Sequence, residues 1–390
     1  MVRYTHPVYK NGRRVLWHGA WRGAGRHEKV QPAPPKAAIA QTPSPQSAPT
    51  DAVPAPQSQP LKPFSILADP DDLSAARMSR DFTAILNDKG AVGRAIVGST
   101  SPTGLAKVAR ANMADFAIVT LDTAIASAKN DPDWVKKAPL IAPLSPETLE
   151  VAASRDIKTI SDLQGKTVSF GDPDSTTAIS AKLLFSRLGI SVNATYEPLT
   201  EGLSAMSAGK RAAVVVLGGS EARALNDFSD DGHFHIVPIP WAQALESVYA
   251  PARVSSEERP NLVAPNDSVE TVAEPMALIA VDAAPGSPRA EALGRLTRTF
   301  FDSYTTLLSG DRDPHWQEVN LAAEESLPNG QWARLGAAQD WLDEHKGSGD
   351  ASLEAFRASA KAVAEANGGP KAGDSDQLYD SLTRWRGLMQ

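Results

Sequence analysis

Two clusters of hydroxyl side chains stand where each could bind an anion. The clusters are Thr100, Ser101 and Thr103, and Ser175, Thr176 and Thr177. Each follows a predicted strand and opens a predicted helix, where free backbone N–H groups and the helix dipole favour negative charge. The hydroxyl groups would add hydrogen-bond donors. The same residue types also cap helices without any ligand, so plain capping is the alternative interpretation.

Other kinds of reactive site have weaker support. The chain contains no cysteine, which excludes disulfides, thiol catalysis and cysteine-bound metals. The triplet Gly165–Thr167 resembles the end of a phosphate-binding loop, but Ile160 stands where that loop needs glycine. His233 and His235 could share a strand face and bind a metal, although an ordinary turn into a strand also explains them. The other histidines, His315 among them, form no constellation, and we predict no cofactor, no metal site and no catalytic residue.

The elements that would position the hydroxyl clusters alternate between strand and helix. The hydropathy pattern predicts strands at 64–68, 91–98, 116–119, 167–170 and 213–217, and helices at 73–86, 104–112, 176–188, 289–308 and 331–344. Strands separated by helices predict βαβ units with mostly parallel strands. Two such series in one chain predict an α/β fold with two lobes.

The composition divides the chain into a body and two tails. Residues 31–63 contain ten prolines, and such a segment cannot bury enough apolar surface to fold. The predicted domains are a basic disordered head (1–30), a Pro-rich linker (31–62), the first part of lobe I (63–152), lobe II (153–236), the return to lobe I with C-terminal helices (237–345) and a helical extension (346–390). Two crossings between the lobes are predicted near 152–156 and 236–241.

The charge is distributed unevenly along the chain. The net charge is −7, yet residues 1–30 hold seven Lys and Arg against Glu28 alone, so the rest of the chain is strongly acidic. An acidic body argues against nucleic acid as the main partner, because phosphate binding needs a basic surface. No apolar run reaches the roughly 18 to 20 residues that a membrane span needs.

The segment DIKTISDLQGKTVSFGDPDSTT, residues 156–177, resembles the beginning of the second lobe in type II periplasmic solute-binding proteins. It is most similar to the TAXI class of TRAP-transporter binding subunits. Three more segments agree in the same order: GSTS at 98–101, ADFAIVTLD at 114–122 and MSAGKRAAVVVLGG at 206–219. The resemblance covers roughly residues 62–310.

This resemblance implies a two-lobe type II periplasmic-binding-protein-like fold with two interlobe crossings. It implies non-catalytic binding of a small organic solute, such as a carboxylate or an amino acid, for delivery to the permease of a TRAP-type transporter. It adds Asp122, Gly218 and Gly219 to the candidate ligand-binding residues. It also implies the periplasm, but the head lacks the apolar segment of a secretory signal, so the cytoplasm is the alternative location.

The first loop departs from the family pattern. Residues 68–72 read Ala-Asp-Pro-Asp-Asp where the family has a Gly-rich segment. Three acids would repel a carboxylate, which predicts an altered ligand that is uncharged or cationic. Two other functions stay open: a sensor or scaffold that uses the basic head, and a dehydratase-like enzyme on the same frame. For the enzyme, Asp122, Asp172 and Glu197 are the candidate acids.

Overall fold

The computed structural model describes residues 8–10, 13–15 and 63–345, except 71, 219–222, 229–231, 309–310, 324 and 328–329. The predicted linker and C-terminal extension lie outside the described residues, as does most of the head. Within the head, Val8–Lys10 (β1) and Arg13–Val15 (β2) form an antiparallel pair. This strand pair is a local exception to the predicted disorder of the head, and the disorder of the other head residues stays a prediction.

The body contains strands and helices close to those that the sequence predicts. Its strands are Phe64–Ala68 (β3), Gly93–Val97 (β4), Phe116–Thr120 (β5), Leu140–Ser154 (β6), Thr167–Ser169 (β7), Asn193–Thr195 (β8), Ala213–Leu217 (β9), Phe234–Ile236 (β10), Ala250–Ser255 (β11), Ser268–Ala280 (β12), Ser326–Leu327 (β13) and Gly330–Gln331 (β14). Its helices are Leu73–Asp88 (α1), Pro102–Arg110 (α2), Leu121–Asn130 (α3), Trp134–Lys137 (α4), Thr176–Arg187 (α5), Leu199–Ser207 (α6), Arg223–Asn226 (α7), Pro288–Asp302 (α8) and Gly336–His345 (α9).

Ten strands of the body form one mixed sheet that runs through both lobes. The order is β4-β3-β5-β12-β6-β9-β7-β8, with β10 beside β6 and β11 beside β12. In lobe I, β3 is parallel to β4 and β5. In lobe II, β7 is parallel to β8 and β9. The parallel units predicted for each lobe are present, and the predicted two-lobe α/β fold is confirmed.

Two long antiparallel strands, β6 and β12, carry the chain between the lobes. Near Leu149 the partner of β6 changes from β12 to β9, a few residues before the predicted first crossing. The second crossing was expected at 236–241, but the structure places it in β12. The reason is that the intervening chain stays with lobe II, where Val254 and Leu262 belong to a core cluster built on β9.

The apolar core lies on both faces of the sheet. On one face of lobe I, Phe82 of α1 packs against Phe116 and Phe300 with ring centroids 5.1 and 4.8 Å apart. On the other face, one cluster of buried side chains continues from Leu105 in lobe I to Phe185 in lobe II. The lobes are therefore in close contact. No helix among the residues that the structure describes has the length and apolar character to cross a bilayer.

Candidate functional site

Several helix N-termini lie at the boundary between the lobes. Strands β3, β4 and β5 are parallel neighbours, so their carboxyl ends meet at one edge of the sheet. Each leads into a helix that a side chain caps: Asp72 for α1, Ser101 for α2 and Thr120 for α3. In lobe II, Ser175 caps α5. Because helix N-termini attract negative charge, this boundary suits an anion.

The two predicted hydroxyl clusters meet at this boundary through Thr100 and Thr176. Their Oγ1 atoms are 3.0 Å apart. Both residues are almost fully buried, with exposed fractions of 1% and 2%. Beside them, Ser99 Oγ donates a hydrogen bond to the Asp174 carbonyl at 2.6 Å. Ligand binding by these residues stays a prediction.

A carboxylate of the protein itself occupies the point where the clusters meet. Asp69 Oδ2 accepts a hydrogen bond from Thr176 Oγ1 at 2.9 Å and from Thr100 Oγ1 at 3.3 Å. The Thr100 backbone N–H donates to the same oxygen at 3.4 Å. Asp69 is 2% exposed. The sequence predicted negative charge at these helix ends, but assigned it to a ligand; here it belongs to the acidic first loop.

The other cluster members do not converge on this point. Ser101 and Ser175 accept hydrogen bonds from backbone N–H groups of their own helices, as capping residues do. Thr177 is buried within lobe II. Thr103 is exposed and lines a cavity of about 810 Å³ whose other lining residues also belong to lobe I. Thr103, in the first turn of α2, thus takes no part in the contact between Thr100 and Thr176, and ligand binding by it stays a prediction.

Asp122 forms a buried ion pair across the lobe boundary. Its Oδ1 lies 2.7 Å from Arg187 Nη1, at the end of α5 in lobe II. The Tyr249 hydroxyl donates to Asp122 Oδ2 at 2.5 Å, and Arg187 Nη1 donates to that hydroxyl at 2.9 Å. Burial raises the pKa of the Asp122 carboxyl, and the charge of Arg187 opposes that rise. Asp122 therefore joins the lobes through an ion pair at one oxygen and a hydrogen bond at the other.

Glu274 of β12 is a second buried carboxyl beside Asp122. Its Oε1 accepts a hydrogen bond from the Asp122 backbone N–H at 2.9 Å. Burial, together with the negative charge of Asp122, raises the pKa of Glu274 well above its ordinary value. Burial therefore favours the uncharged form of Glu274 beside the Asp122–Arg187 pair.

Replacing Arg187 with methionine should destabilise the closed arrangement of the lobes. The change leaves Asp122 without its cation in a buried site, so we expect the free energy of unfolding to fall by about 2 kcal/mol. Urea denaturation near neutral pH measures this. The double variant Arg187→Met, Asp122→Asn is the matched control and should recover part of the loss, because no unpaired charge is left. Equal stability of the single and double variants would contradict the interpretation.

A second polar cluster, which the sequence did not predict, lies along lobe I. Asp72 at the start of α1 and Glu147 on β6 are almost fully buried, and His315 lies within electrostatic reach of both. The His315 Nδ1 atom is 2.7 Å from Asp313 Oδ1. The Asp313 backbone N–H donates to Asp81 of α1 at 2.8 Å, which anchors this segment against the lobe.

These groups shift one another's ionisation. Burial raises the pKa of Asp72 to about 7, and the nearby Asp69 charge adds to the rise. Burial and the charge of Asp72 raise the pKa of Glu147 to about 8. Burial alone would lower the pKa of His315, but its hydrogen bond to Asp313 and the charge of Glu147 raise it to about 9. Near neutral pH, the cluster therefore holds a protonated histidine among partly neutral carboxyls.

Nine buried side-chain oxygens lack a hydrogen-bond partner among the residues that the structure describes. Four of them lie on α1 and the crossing strands: Ser74 Oγ in the first turn of α1, Ser145 Oγ and Glu147 Oε1 on β6, and Glu274 Oε2 on β12. An unsatisfied buried polar group costs about 1 to 3 kcal/mol, so native proteins pair such groups with water or a ligand. These atoms mark the first turn of α1 and the crossing strands as places where a polar solute or water can be held.

The remaining candidates are engaged in contacts of their own. Gly218 has φ 119° and donates its N–H to the Thr148 carbonyl of β6 at 3.2 Å. Gly219 lies outside the described residues. Glu197, one of the acids considered for an enzyme, forms a two-point ion pair with Arg211 at 3.0 and 3.2 Å. Glu197 therefore serves lobe II as a structural group.

The histidine pair considered for a metal site is also accounted for. His235 Nε2 lies 2.7 Å from the Ile157 carbonyl. Burial lowers the pKa of the His235 imidazole. Within the part of the chain that the structure describes, no three His, Asp or Glu side chains are arranged to hold a metal ion.

Three solved structures are similar to this chain at low sequence identity. The periplasmic sulfonate-binding protein SsuA from Methylobacillus flagellatus KT is 15% identical, with a TM-score of 0.41 over 79% of this chain and 88% of that one. The amino acid ABC transporter substrate-binding protein AbpA from Streptococcus pneumoniae, bound to L-arginine, is 12% identical, with a TM-score of 0.36 over 62% and 90%. The regulatory domain of CcmR from Synechocystis, in complex with 2-PG, is 13% identical, with a TM-score of 0.36 over 62% and 94%.

A sequence family accounts for most of the body. The model of the NMT1-like family matches residues 78–328, which is more than half of the chain. The matched residues include both crossing strands, Thr100, Thr176 and the Asp122–Arg187 pair. The predicted two-lobe α/β fold is confirmed, whereas the narrower TAXI resemblance stays a prediction. The chain belongs to the NMT1-like family.

Proposed function

We propose that this protein binds a small organic solute between its lobes, without transforming it, and delivers it in the periplasm to the permease of a TRAP-type transporter. The observation that carries the proposal is the meeting of Thr100 and Thr176, buried, at helix N-termini from opposite lobes. Ligands of two-lobe α/β proteins bind at such strand and helix ends.

The structure suits a hinge motion that would admit the solute. Beside the buried apolar cluster, the polar contacts that join the lobes include two hydrogen bonds and an ion pair: Ser99 with Asp174, Asp69 with Thr176, and Asp122 with Arg187. They can separate without breaking the pairing of β6 with β12. Bending near Leu149, where β6 changes partner, would then open the boundary.

Polar atoms at the boundary give a solute groups to bind. Ser145 Oγ and Glu147 Oε1 on β6, and Glu274 Oε2 on β12, are buried without a partner among the described residues. A solute with several polar groups would satisfy them on closure. The TRAP assignment rests on the sequence resemblance of residues 156–177, and the periplasmic location follows from it.

The test is to isolate the solute and follow its fate. Native mass spectrometry of the protein purified without denaturation should show a bound small molecule that denaturation releases. The released compound should bind again to the refolded protein and be recovered unchanged after long incubation. Steady conversion into a second compound would overturn the proposal, as would the absence of any bound or rebinding compound.

A matched pair of variants localises the solute. Thr176→Val removes the hydroxyl that faces Thr100 and should weaken rebinding of the released compound. Thr297→Val makes the same change at a buried position in α8, whose hydroxyl has no partner among the described residues. It should bind as the unmodified protein does. Equal binding by both variants would place the solute elsewhere.

A further inference from the structure

We propose that Asp69 is a specificity residue: its carboxylate fills the anion position at the N-termini of α2 and α5, so the cleft rejects anionic solutes and accepts one that is uncharged or cationic at this end. This inference rests on the proposed function, since it names the class of solute for the same cleft. Asp69 is then the residue of the acidic first loop, 68–72, that repels an anionic solute.

The geometry at Asp69 is that of a bound carboxylate. One oxygen, Oδ2, accepts a hydrogen bond from the Thr176 hydroxyl at 2.9 Å. It also accepts hydrogen bonds from the hydroxyl and the backbone N–H of Thr100, at 3.3 and 3.4 Å. The donors come from both lobes, on residues that adjoin helices of nine and twelve residues. A solute carboxylate would need these same donors. Because Asp69 already uses them, the solute must either displace it or bring no negative charge.

The backbone holds Asp69 at this position. It directly follows β3, and the Gly98 N–H donates to the Ala68 carbonyl at 3.0 Å, which ties the loops after β3 and β4 together. Pro70 comes next, and a residue before proline is restricted to extended conformations. Asp69 therefore reaches the helix ends as part of the sheet edge of lobe I, and closure of lobe II brings Thr176 onto it.

The charges around Asp69 add to the discrimination. A second carboxylate about 4 Å from Asp69 would be repelled strongly enough to lose affinity by about a thousandfold, at the effective dielectric constant typical of protein sites. Along lobe I follow the carboxyls of Asp72 and Glu147, which are partly neutral near neutral pH. The cation near them, His315, is already engaged with Asp313. A solute ammonium or amide group meets acceptors here.

Removing the carboxylate should turn the position into a site for a free anion. Asp69→Gly deletes the side chain and leaves room for formate against the same hydroxyl and N–H donors. We expect the thermal midpoint of this variant to fall by about 5 °C in sodium chloride, because buried charged hydrogen bonds are lost. Sodium formate at the same ionic strength should restore most of that loss. The unmodified protein should show the same midpoint in both salts.

Two controls locate the effect of formate. Asp69→Asn keeps the volume of the side chain without its charge, so formate has no room and should not raise the midpoint. Adding Thr176→Val to Asp69→Gly removes a donor, and the response to formate should shrink. Stabilisation of the unmodified protein by formate to the same extent would overturn the proposal, because the anion position would then be vacant or elsewhere. The absence of any formate response in Asp69→Gly would overturn it as well.

A measurement on the unmodified protein covers the case in which Asp69→Gly does not fold. Succinate, γ-aminobutyrate and putrescine share a four-carbon chain and differ in charge. The proposal expects no binding of succinate by calorimetry, and binding of succinate with higher affinity than putrescine would overturn it. Failure of the proposed function itself looks different: no solute is then found by native mass spectrometry, while formate still reports on the position of Asp69.

Discussion

Replacing Arg259 with methionine should lower the free energy of unfolding by about 3 to 5 kcal/mol, because it strands a buried carboxylate. Arg259 and Glu150 of β6 are each 1% exposed. The guanidinium donates Nε and Nη2 to the two carboxylate oxygens, both at 2.8 Å, and Nη1 to Asn226 at 2.6 Å. Urea denaturation at neutral pH measures the loss. Since Glu150 lies just past the crossing, the change should also loosen the hold of lobe II on β6.

Two controls separate the effect of the unpaired Glu150 charge from the effect of lost packing around Arg259. Adding Glu150→Gln to Arg259→Met removes the charge and should recover a large part of the stability, as replacing both members of a buried ion pair often does. Arg253 and Glu270 form a matched pair at the surface, 3.6 Å apart and more than half exposed. Arg253→Met should change stability very little. A double variant no more stable than Arg259→Met would contradict the argument.

The parts of the fold that the sequence predicts well are those with local causes. Strand β9 belongs to an apolar run that begins after Arg211 and stops at Gly218, and its predicted and observed limits agree at 213–217. Helix α5 begins where predicted because Ser175 supplies a cap that ends the preceding loop. In each case, burial or capping acts within a few residues, so the local pattern determines the element.

The crossing strands are harder to predict because their sequences look unlike strands. Strand β12 contains Glu274 and Pro275, and β6 contains Pro143, Pro146 and Glu147. Charged residues and prolines are typical of loops, and they are tolerated here at an irregularity in the pairing next to Glu274. The sequence therefore predicts the second crossing too early in the chain, at 236–241 instead of in β12. Strands β6 and β12 are specified by the strands with which they pair and by the polar side chains that they place at the boundary between the lobes.

The site shows the same division between local and tertiary causes. Thr100 and Thr176 were predicted because each follows a strand and opens a helix. The sequence predicts that the charge of Asp69 repels an anionic ligand, but it does not predict the hydrogen bonds of Asp69 to both lobes, because these form only where the lobes meet. His315 gave no signal, because Glu147 and Asp72 come from distant parts of the chain and meet it only in the folded protein.

That cluster should make the stability of the protein depend on pH. The pKa of Glu147 is about 8 in the fold against an ordinary value of 4.5, and that of Asp72 is about 7 against 3.8. The unfolded chain therefore releases these protons at lower pH than the fold does, and stability falls as pH rises between the two values. His315, with a pKa of about 9 against 6.5, also loses its stabilising contribution as pH rises from 6.5 to 9.

The other charges of the cluster change this slope only in part. Asp313 has a lowered pKa, so its contribution is lost only in acid. Burial raises the pKa of Glu318, which adds to the decline at higher pH. Arg77, 3.4 Å from Asp313, stays charged throughout. The net expectation is a free energy of unfolding that decreases steadily from about pH 5 to about pH 9.

Glu147→Gln should flatten that decline. The amide keeps the shape of the side chain and removes the group that the fold must hold neutral, so the variant should be more stable than the unmodified protein by on the order of 2 kcal/mol near pH 8. Near pH 5 the two should be almost equal, because Glu147 is then protonated in the fold and only partly ionised in the unfolded chain. Urea denaturation across this range measures both curves. His315→Gln should instead lower the free energy of unfolding relative to the unmodified protein. The decrease should be largest near pH 6, where the imidazolium is fully present in the fold. Parallel curves for Glu147→Gln and the unmodified protein would show that Glu147 is ionised in the closed structure, and would remove the carboxyl cluster as the cause of the pH dependence.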